Sequence, residues 1–257
     1  MIGFLLKKTF YDLWDNLFRL VLVNLGFILS AAIPFALPMF LEHMPILGMV
    51  LLVGGILWLC IYLAATAMVV KEISDYKSFG FSEFFAAIPH AVVPGLAFAG
   101  LGVLVWLLGS TAIPFYLKMG NLLGLFAASL VFWTLVVVIL ALQFFLTIQA
   151  RLDRRLLKGL KKSFIIFFDN PGLCVFSFLH NIVILAISFF LAFLAPGPAG
   201  ILLFMDEALR LRLLKYDWLE AHPEADRKKI PWDELLEEER EKTGTRSLRS
   251  FIFPWKD

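Results

Sequence analysis

The stretch from Arg151 to Lys162, RLDRRLLKGLKK, decides how the rest of the chain is read. It sets Arg151, Arg154, Arg155, Lys158, Lys161 and Lys162 against one acid, Asp153, between the uncharged runs 119–150 and 170–205. Lys and Arg within about 15–20 residues of a membrane crossing set its orientation. A cationic segment between two apolar runs therefore reads as a cytoplasmic anchor, and the flanking runs as membrane spans. The composition agrees: 60% hydrophobic and 17% charged residues, with mean hydropathy +0.84, against about 25% charged in soluble domains.

Working outward, the apolar runs predict spans over residues 121–149 and 172–194 on either side of the anchor, and over 20–41, 46–70 and 91–115 before it. Each is long enough at 1.5 Å per residue to reach across a hydrocarbon core of about 30 Å. Residues 20–41 exceed a signal-peptide core, and Asp12, Asp15 and Arg19 interrupt the approach, so the first span is read as uncleaved. Segment 71–90 reads as a loop with a short amphipathic helix. Cations alternate between the connections, which predicts that the N-terminus, segment 71–90 and the basic segment lie in the cytoplasm.

Five spans would put the tail from Asp206 outside, although it holds 11 of the 23 Lys and Arg residues. A sixth, short crossing is expected instead. It would start at or below the outer surface just after Pro198 and emerge into the cytoplasm through Asp206, Glu207 and Arg210. The expected fold is thus an all-α polytopic bundle of about six transmembrane helices, residues 1–215, followed by a cytoplasmic tail, 216–257. Within the tail, Pro231 and Gly244 bracket a short helix.

An internal repeat fits this plan. Ser30–Phe35 (SAAIPF) recurs as Ser110–Phe115 (STAIPF), and Phe10–Asn16 (FYDLWDN) resembles Phe164–Asn170 (FIIFFDN), with a weaker echo at Phe81–Phe85 (FSEFF). The unit would be an aromatic interfacial segment followed by a transmembrane hairpin, three times in parallel.

Little chemistry is legible. The five spans hold no Asp, Glu, Lys or Arg, and their polar groups centre on Asn24, His180 and Asn181. For His180 and Asn181, bonding between helices competes with a ligand or proton site. No second His or Cys sits at metal-ligand spacing, and no nucleophile, phosphate-loop or zinc-protease motif occurs. Glu237–Arg240 reads as a solvated helix face. Cys60 and Cys174 read as buried free thiols. No catalytic residue, metal or cofactor is expected. The cations of 151–162 suit anionic lipid headgroups rather than nucleic acid. The end of the chain, with Arg246, Arg249, Phe251, Phe253 and Trp255, reads either as a segment folded onto the bundle or as a docking peptide for a partner.

The chain resembles the YesL-like family of bacterial membrane proteins, a family of unknown function, over about residues 10–215. The resemblance rests on Asn24 followed by an apolar run into Ile33-Pro34, on Glu83-Phe84-Phe85, and on the plan of five or six spans. Where the family commonly continues with Thr, Gly and a second Pro, this chain has Phe35-Ala36-Leu37-Pro38. Members are often encoded near carbohydrate-uptake transporters and glycan-degrading enzymes, which implies an accessory role in sugar uptake or sensing. The reading that follows is a non-enzymatic accessory or scaffold protein of a bacterial inner membrane, serving a transporter or sensor. A carrier or channel for a small neutral solute and an enzyme acting on lipid-linked substrates are the alternatives.

Overall fold

The computed structural model describes residues 1–41, 43–152, 155–227, 229–244 and 246. Among them the chain forms helices α1 (Ile2–Asp15), α2 (Leu17–Ala36), α3 (Pro45–Ser74), α4 (Phe81–Leu117), α5 (Leu122–Leu142) and α6 (Phe145–Arg151). They are followed by α7 (Leu156–Asp169), α8 (Pro171–Phe190), α9 (Gly197–Ala221), α10 (Trp232–Leu235) and α11 (Glu237–Thr243). No strand occurs among the described residues. Five segments are long and apolar enough to cross a bilayer: Leu17–Phe40, Pro45–Ser74, Phe81–Leu117, Leu122–Arg151 and Pro171–Phe190. The protein is an all-α membrane bundle.

Several boundaries differ from the sequence reading. Segment 71–90 is not a loop with its own helix: α3 runs on through Lys71 to Ser74, and α4 is one helix from Phe81. Glu83 starts it, its Oε2 accepting from the Gly80 N–H at 2.9 Å. Pro89, Pro94 and Pro114 lie inside α4 without ending it, as membrane helices allow where neighbours re-satisfy the freed carbonyls. The basic segment is likewise mostly helical, since α7 begins at Leu156. Of the repeated preambles, the first and the last behave alike: α1 stops at Asn16 and α7 at Asn170, and a new helix follows each. The third, at Phe81, runs unbroken into α4.

In their halves away from the basic segment the first four spans form one layer. α2 packs on α3, α3 on α4 and α4 on α5. The α3–α4 contact is closest at Gly95, where a Cβ would lie 2.5 Å from the Ile61 Cα. Away from the basic segment, Leu122, Leu123, Leu125 and Phe126 are all exposed, and so are Leu104, Trp106, Leu107 and Leu108. Within these two stretches only Gly124 and Val105 turn inward, so both faces of the layer are open there. Burial in α3 shows the same gradient: apart from Gly48 and Gly55, every buried residue lies from Leu59 onward.

The other half of the molecule is built around α9, which packs against α1, α2, α3, α6 and α8. Ala199, Leu203, Phe204, Asp206, Glu207 and Leu209 are fully buried. α8 and α9 form an antiparallel hairpin. Ser188 Oγ accepts from the Gly197 N–H at 3.0 Å, and Asn181 reaches Met205 Sδ. Further along, Lys215 bonds Asp169 at 2.8 Å. The sequence reading of α9 as a helix emerging through Asp206, Glu207 and Arg210 is therefore corrected, because protein closes over Asp206 and Glu207 and leaves Arg210 only part-exposed.

Among the described residues no break falls at residue 216. α9 continues unbroken to Ala221, and α10 and α11 fold back with Leu236 fully buried. The helix brackets are as the sequence indicated: α10 follows Pro231, and α11 ends before Gly244, whose φ is +79°. The helical stretch breaks at Leu236.

Candidate functional site

Two polar features stand out, at opposite ends of the buried part of α9. The first is its start. Asn24, roughly 10 Å into α2, directs its side chain at the segment before α9. Its Nδ2 donates to the carbonyls of Leu194 at 3.0 Å and Pro196 at 2.8 Å. Its Oδ1 accepts from the Ala199 N–H at 3.0 Å. One amide thus satisfies three groups of an irregular backbone. Gly197 is required there, with φ +60° and a Cβ position only 2.4 Å from Asn24 Nδ2. The neighbouring Tyr62 hydroxyl donates to the Val23 carbonyl at 2.7 Å. Tyr62 is roughly 25 Å from the Pro45 end of α3 and roughly 18 Å from Ser74. The α8–α9 junction therefore sits opposite the middle of the α2–α3 hairpin rather than beyond its end.

The second feature is an ionic clasp. Arg151 grips Asp206 through Nε at 3.0 Å and through a shorter bond from Nη2, while Nη1 reaches Asp75 at 2.9 Å. Arg210 bonds Asp75 and the Ser74 carbonyl, each at 2.6 Å, and Glu239 of α11 at 2.6 Å. Lys8 of α1 is fully buried; it bonds Asp12 closely and lies 3.6 Å from Glu207, which also accepts from the Thr9 hydroxyl. Tyr76, with φ +58°, sits among these charges. Its hydroxyl donates to Glu239 at 2.8 Å, and its ring centroid lies 4.3 Å from Lys8 Nζ and 5.3 Å from the Arg210 guanidinium. Burial and the Glu239 carboxylate together push the phenol up from its ordinary value, so it stays a donor.

The clasp ties α1, α3, α6, α9 and α11 into one block. A buried charge is tolerated only when paired and hydrogen-bonded, so these helices hold one another in register. Sequence reasoning missed Lys8, Thr9, Asp12, Asp75, Tyr76, Asp206, Glu207 and Glu239. The available signal was Asp206-Glu207, two acids beside the uncharged run 170–205.

The residues singled out in the sequence separate. Asn24 serves the start of α9. His180 stacks on Phe204, with ring centroids 3.8 Å apart, and Asn181 bonds Met205. Among the described residues no hydrogen bond joins Asn24 to either, so the expected polar cluster does not assemble. Of the basic group, Arg151 faces inward and is not available to headgroups. Lys158 and Lys161 are exposed on α7 beside exposed Leu157, Ile165 and Phe168. Arg155 is exposed and Lys162 half-buried, and Arg154 lies outside the described residues. In the tail, Arg246 bonds Asp15 at 2.8 Å and lies over the Tyr11 ring. Arg249, Phe251, Phe253 and Trp255 lie outside the described residues. Cys174 is a buried free thiol and Cys60 a half-buried one.

A smaller clasp closes the far end of the α8–α9 hairpin. Burial alone would raise the Asp169 carboxyl, but bonds from Lys215, Tyr216 and Asn170 outweigh it and hold the group below its ordinary value. A depressed folded value means that the stabilisation is present above the unfolded value of about 3.9 and is lost as pH falls through the folded one. Asp169→Asn is expected to lower stability at neutral pH, with the difference from wild type vanishing in acid. Thermal melts across pH 2–7 read this directly, and a constant difference across that range would refute it.

Among the described residues no group of three or more His, Cys, Asp or Glu side chains is placed to hold a metal. Compared with models of known families, with curated proteins and with solved structures, the chain matches none.

Proposed function

We propose that the protein is a multi-pass accessory or scaffold protein of a bacterial inner membrane, with both termini in the cytoplasm, that holds the membrane helices of a transporter or sensor. The observation that carries this reading is the outer layer of α2–α5, one helix thick and apolar on both faces, standing on a block locked by buried charge. Such a layer offers two lateral faces to other helices and encloses no path of its own. A carrier built on a broken helix turns the N–H groups of the half-helix toward its substrate. Here the N–H groups of Gly197 and Ala199 are already taken by Ser188 and Asn24. The resemblance to the YesL-like family supports carbohydrate uptake as the process served. The exposed Lys158 and Lys161 suit anionic headgroups at the cytoplasmic interface.

The bond between Arg246 and Asp15, and the one from Lys7 to the Gly244 carbonyl at 3.1 Å, support termini on one face and hence an even number of crossings. In this reading α8 and α9 dip to the middle of the bilayer and return. Irregular backbone at that depth is tolerable because Asn24 and Ser188 satisfy it.

The test is sided labelling in intact cells, in a Cys60→Ala, Cys174→Ala background, with single cysteines at Gly120 and Gly244. Position 120 is expected to label from outside and position 244 only after permeabilisation; external labelling at 244 would reject the topology. Affinity purification in native lipid is expected to recover a stoichiometric integral-membrane partner crosslinked through Trp106 or Trp133. Crosslinks to lipid alone would reject the scaffold role.

A further inference from the structure

The face of α1 turned toward α8 is not closed. A groove of about 660 Å³ runs between the two helices over Gly200 of α9, with Lys7, Thr9, His180 and Arg246 among its lining residues. It adjoins a second recess of about 340 Å³ that shares Phe10, Leu13 and Ile184 and ends at Leu20, Leu191 and Pro196. Together they fall within the range of small-ligand sites, about 300–1,000 Å³. The groove has a chemical gradient. The first recess carries two cations and two further polar side chains, whereas everything lining the second is apolar.

We propose that this groove binds one anionic phospholipid, with the phosphate at Lys7 and Arg246 and one acyl chain along Phe10, Leu13 and Ile184. Charge complementarity selects this occupant. Among the described residues Lys7 bonds only the Gly244 carbonyl, at 3.1 Å, and no carboxylate pairs with it. Arg246 pairs with Asp15 through Nη1 and donates Nε to the Thr243 carbonyl at 3.4 Å, which leaves its Nη2 N–H groups for a phosphate. A zwitterionic lipid would satisfy the apolar recess equally well but would gain less from the two cations. A peptide helix is too wide, since its diameter of about 10–12 Å would have to part α1 from α8. This site is distinct from the exposed cations of α7, which can meet headgroups only from the side.

Full-length protein in nanodiscs of equal phosphatidylcholine and phosphatidylglycerol, released gently and weighed by native mass spectrometry, tests the assignment. One retained phosphatidylglycerol per chain is expected. Lys7→Glu is expected to reduce it about fivefold or more, the factor equivalent to about 1 kcal/mol per basic residue near the surface. Ile184→Trp, which fills the apolar recess, should reduce retention of either lipid, and an unchanged melting temperature guards against misfolding. Lys158→Gln with Lys161→Gln serves as the control for non-specific headgroup binding and should change nothing. Retention of phosphatidylcholine and phosphatidylglycerol without preference, no retained lipid, or loss in the α7 control but not in Lys7→Glu would each overturn the proposal.

Discussion

Replacing Arg151 with methionine is expected to destabilise the folded protein by about 3–5 kcal/mol, the cost of leaving a buried charge without its partner. Asp206 is fully buried, and its hydrogen bonds come from Arg151 Nε and Nη2. Asp75 would suffer less, because Arg210 still holds it at 2.6 Å. The size of the effect comes from the stranded carboxylate rather than from the net worth of the pair. Arg151→Met combined with Asp206→Leu should therefore recover most of the loss. A double-mutant cycle on melting in detergent, followed by size-exclusion fluorescence, separates these terms. If Arg151→Met alone melted with wild type, the clasp would not be a stability element. If the double variant were no better than the single one, the stranded-charge account would fail.

Asn24→Ala should have a comparable effect at the other end of α9. It strands the Ala199 N–H and the Leu194 carbonyl, while the Pro196 carbonyl keeps the Gly200 N–H at 3.0 Å, and each buried unsatisfied group costs about 1–3 kcal/mol. Asn24→Asp is the informative companion, because it keeps the acceptor for Ala199 while losing the donor to both carbonyls. It should fall between wild type and alanine. Limited proteolysis between Leu191 and Pro196 would report the loosened segment. Equal melting of all three proteins would mean that the amide does not hold the α8–α9 junction.

The helical spans were legible because the runs 20–41, 46–70 and 121–149 leave the backbone one solution in lipid. Every N–H and C=O must pair within its own segment, so an apolar run of that length is a helix. The stop at Asn16 and Asn170 could likewise be suspected from the repeated aromatic-Asp-Asn ending. The boundary at residue 90 was misplaced because the polar, aromatic segment 71–90 reads as a connection, whereas α4 starts at Phe81 and carries Pro89 and Pro94 inside it. Asn24 was marked as a polar in-membrane residue, but its role depended on where α9 begins, which no local pattern states.

The chain's own order of residues thus determined an all-helical membrane protein, its apolar spans, and the helix ends at Pro231 and Gly244. These follow from local backbone chemistry and from solvent, and need no distant partner. The fate of its charges was decided by tertiary structure alone. Arg151 was read as facing headgroups and Asp206 as facing water, yet they bond each other across 55 positions, and Thr9 meets Glu207 across 198. A charged side chain stays in solvent unless a partner of opposite sign is brought to it, and only the packing of α1, α3 and α6 around α9 supplies those partners.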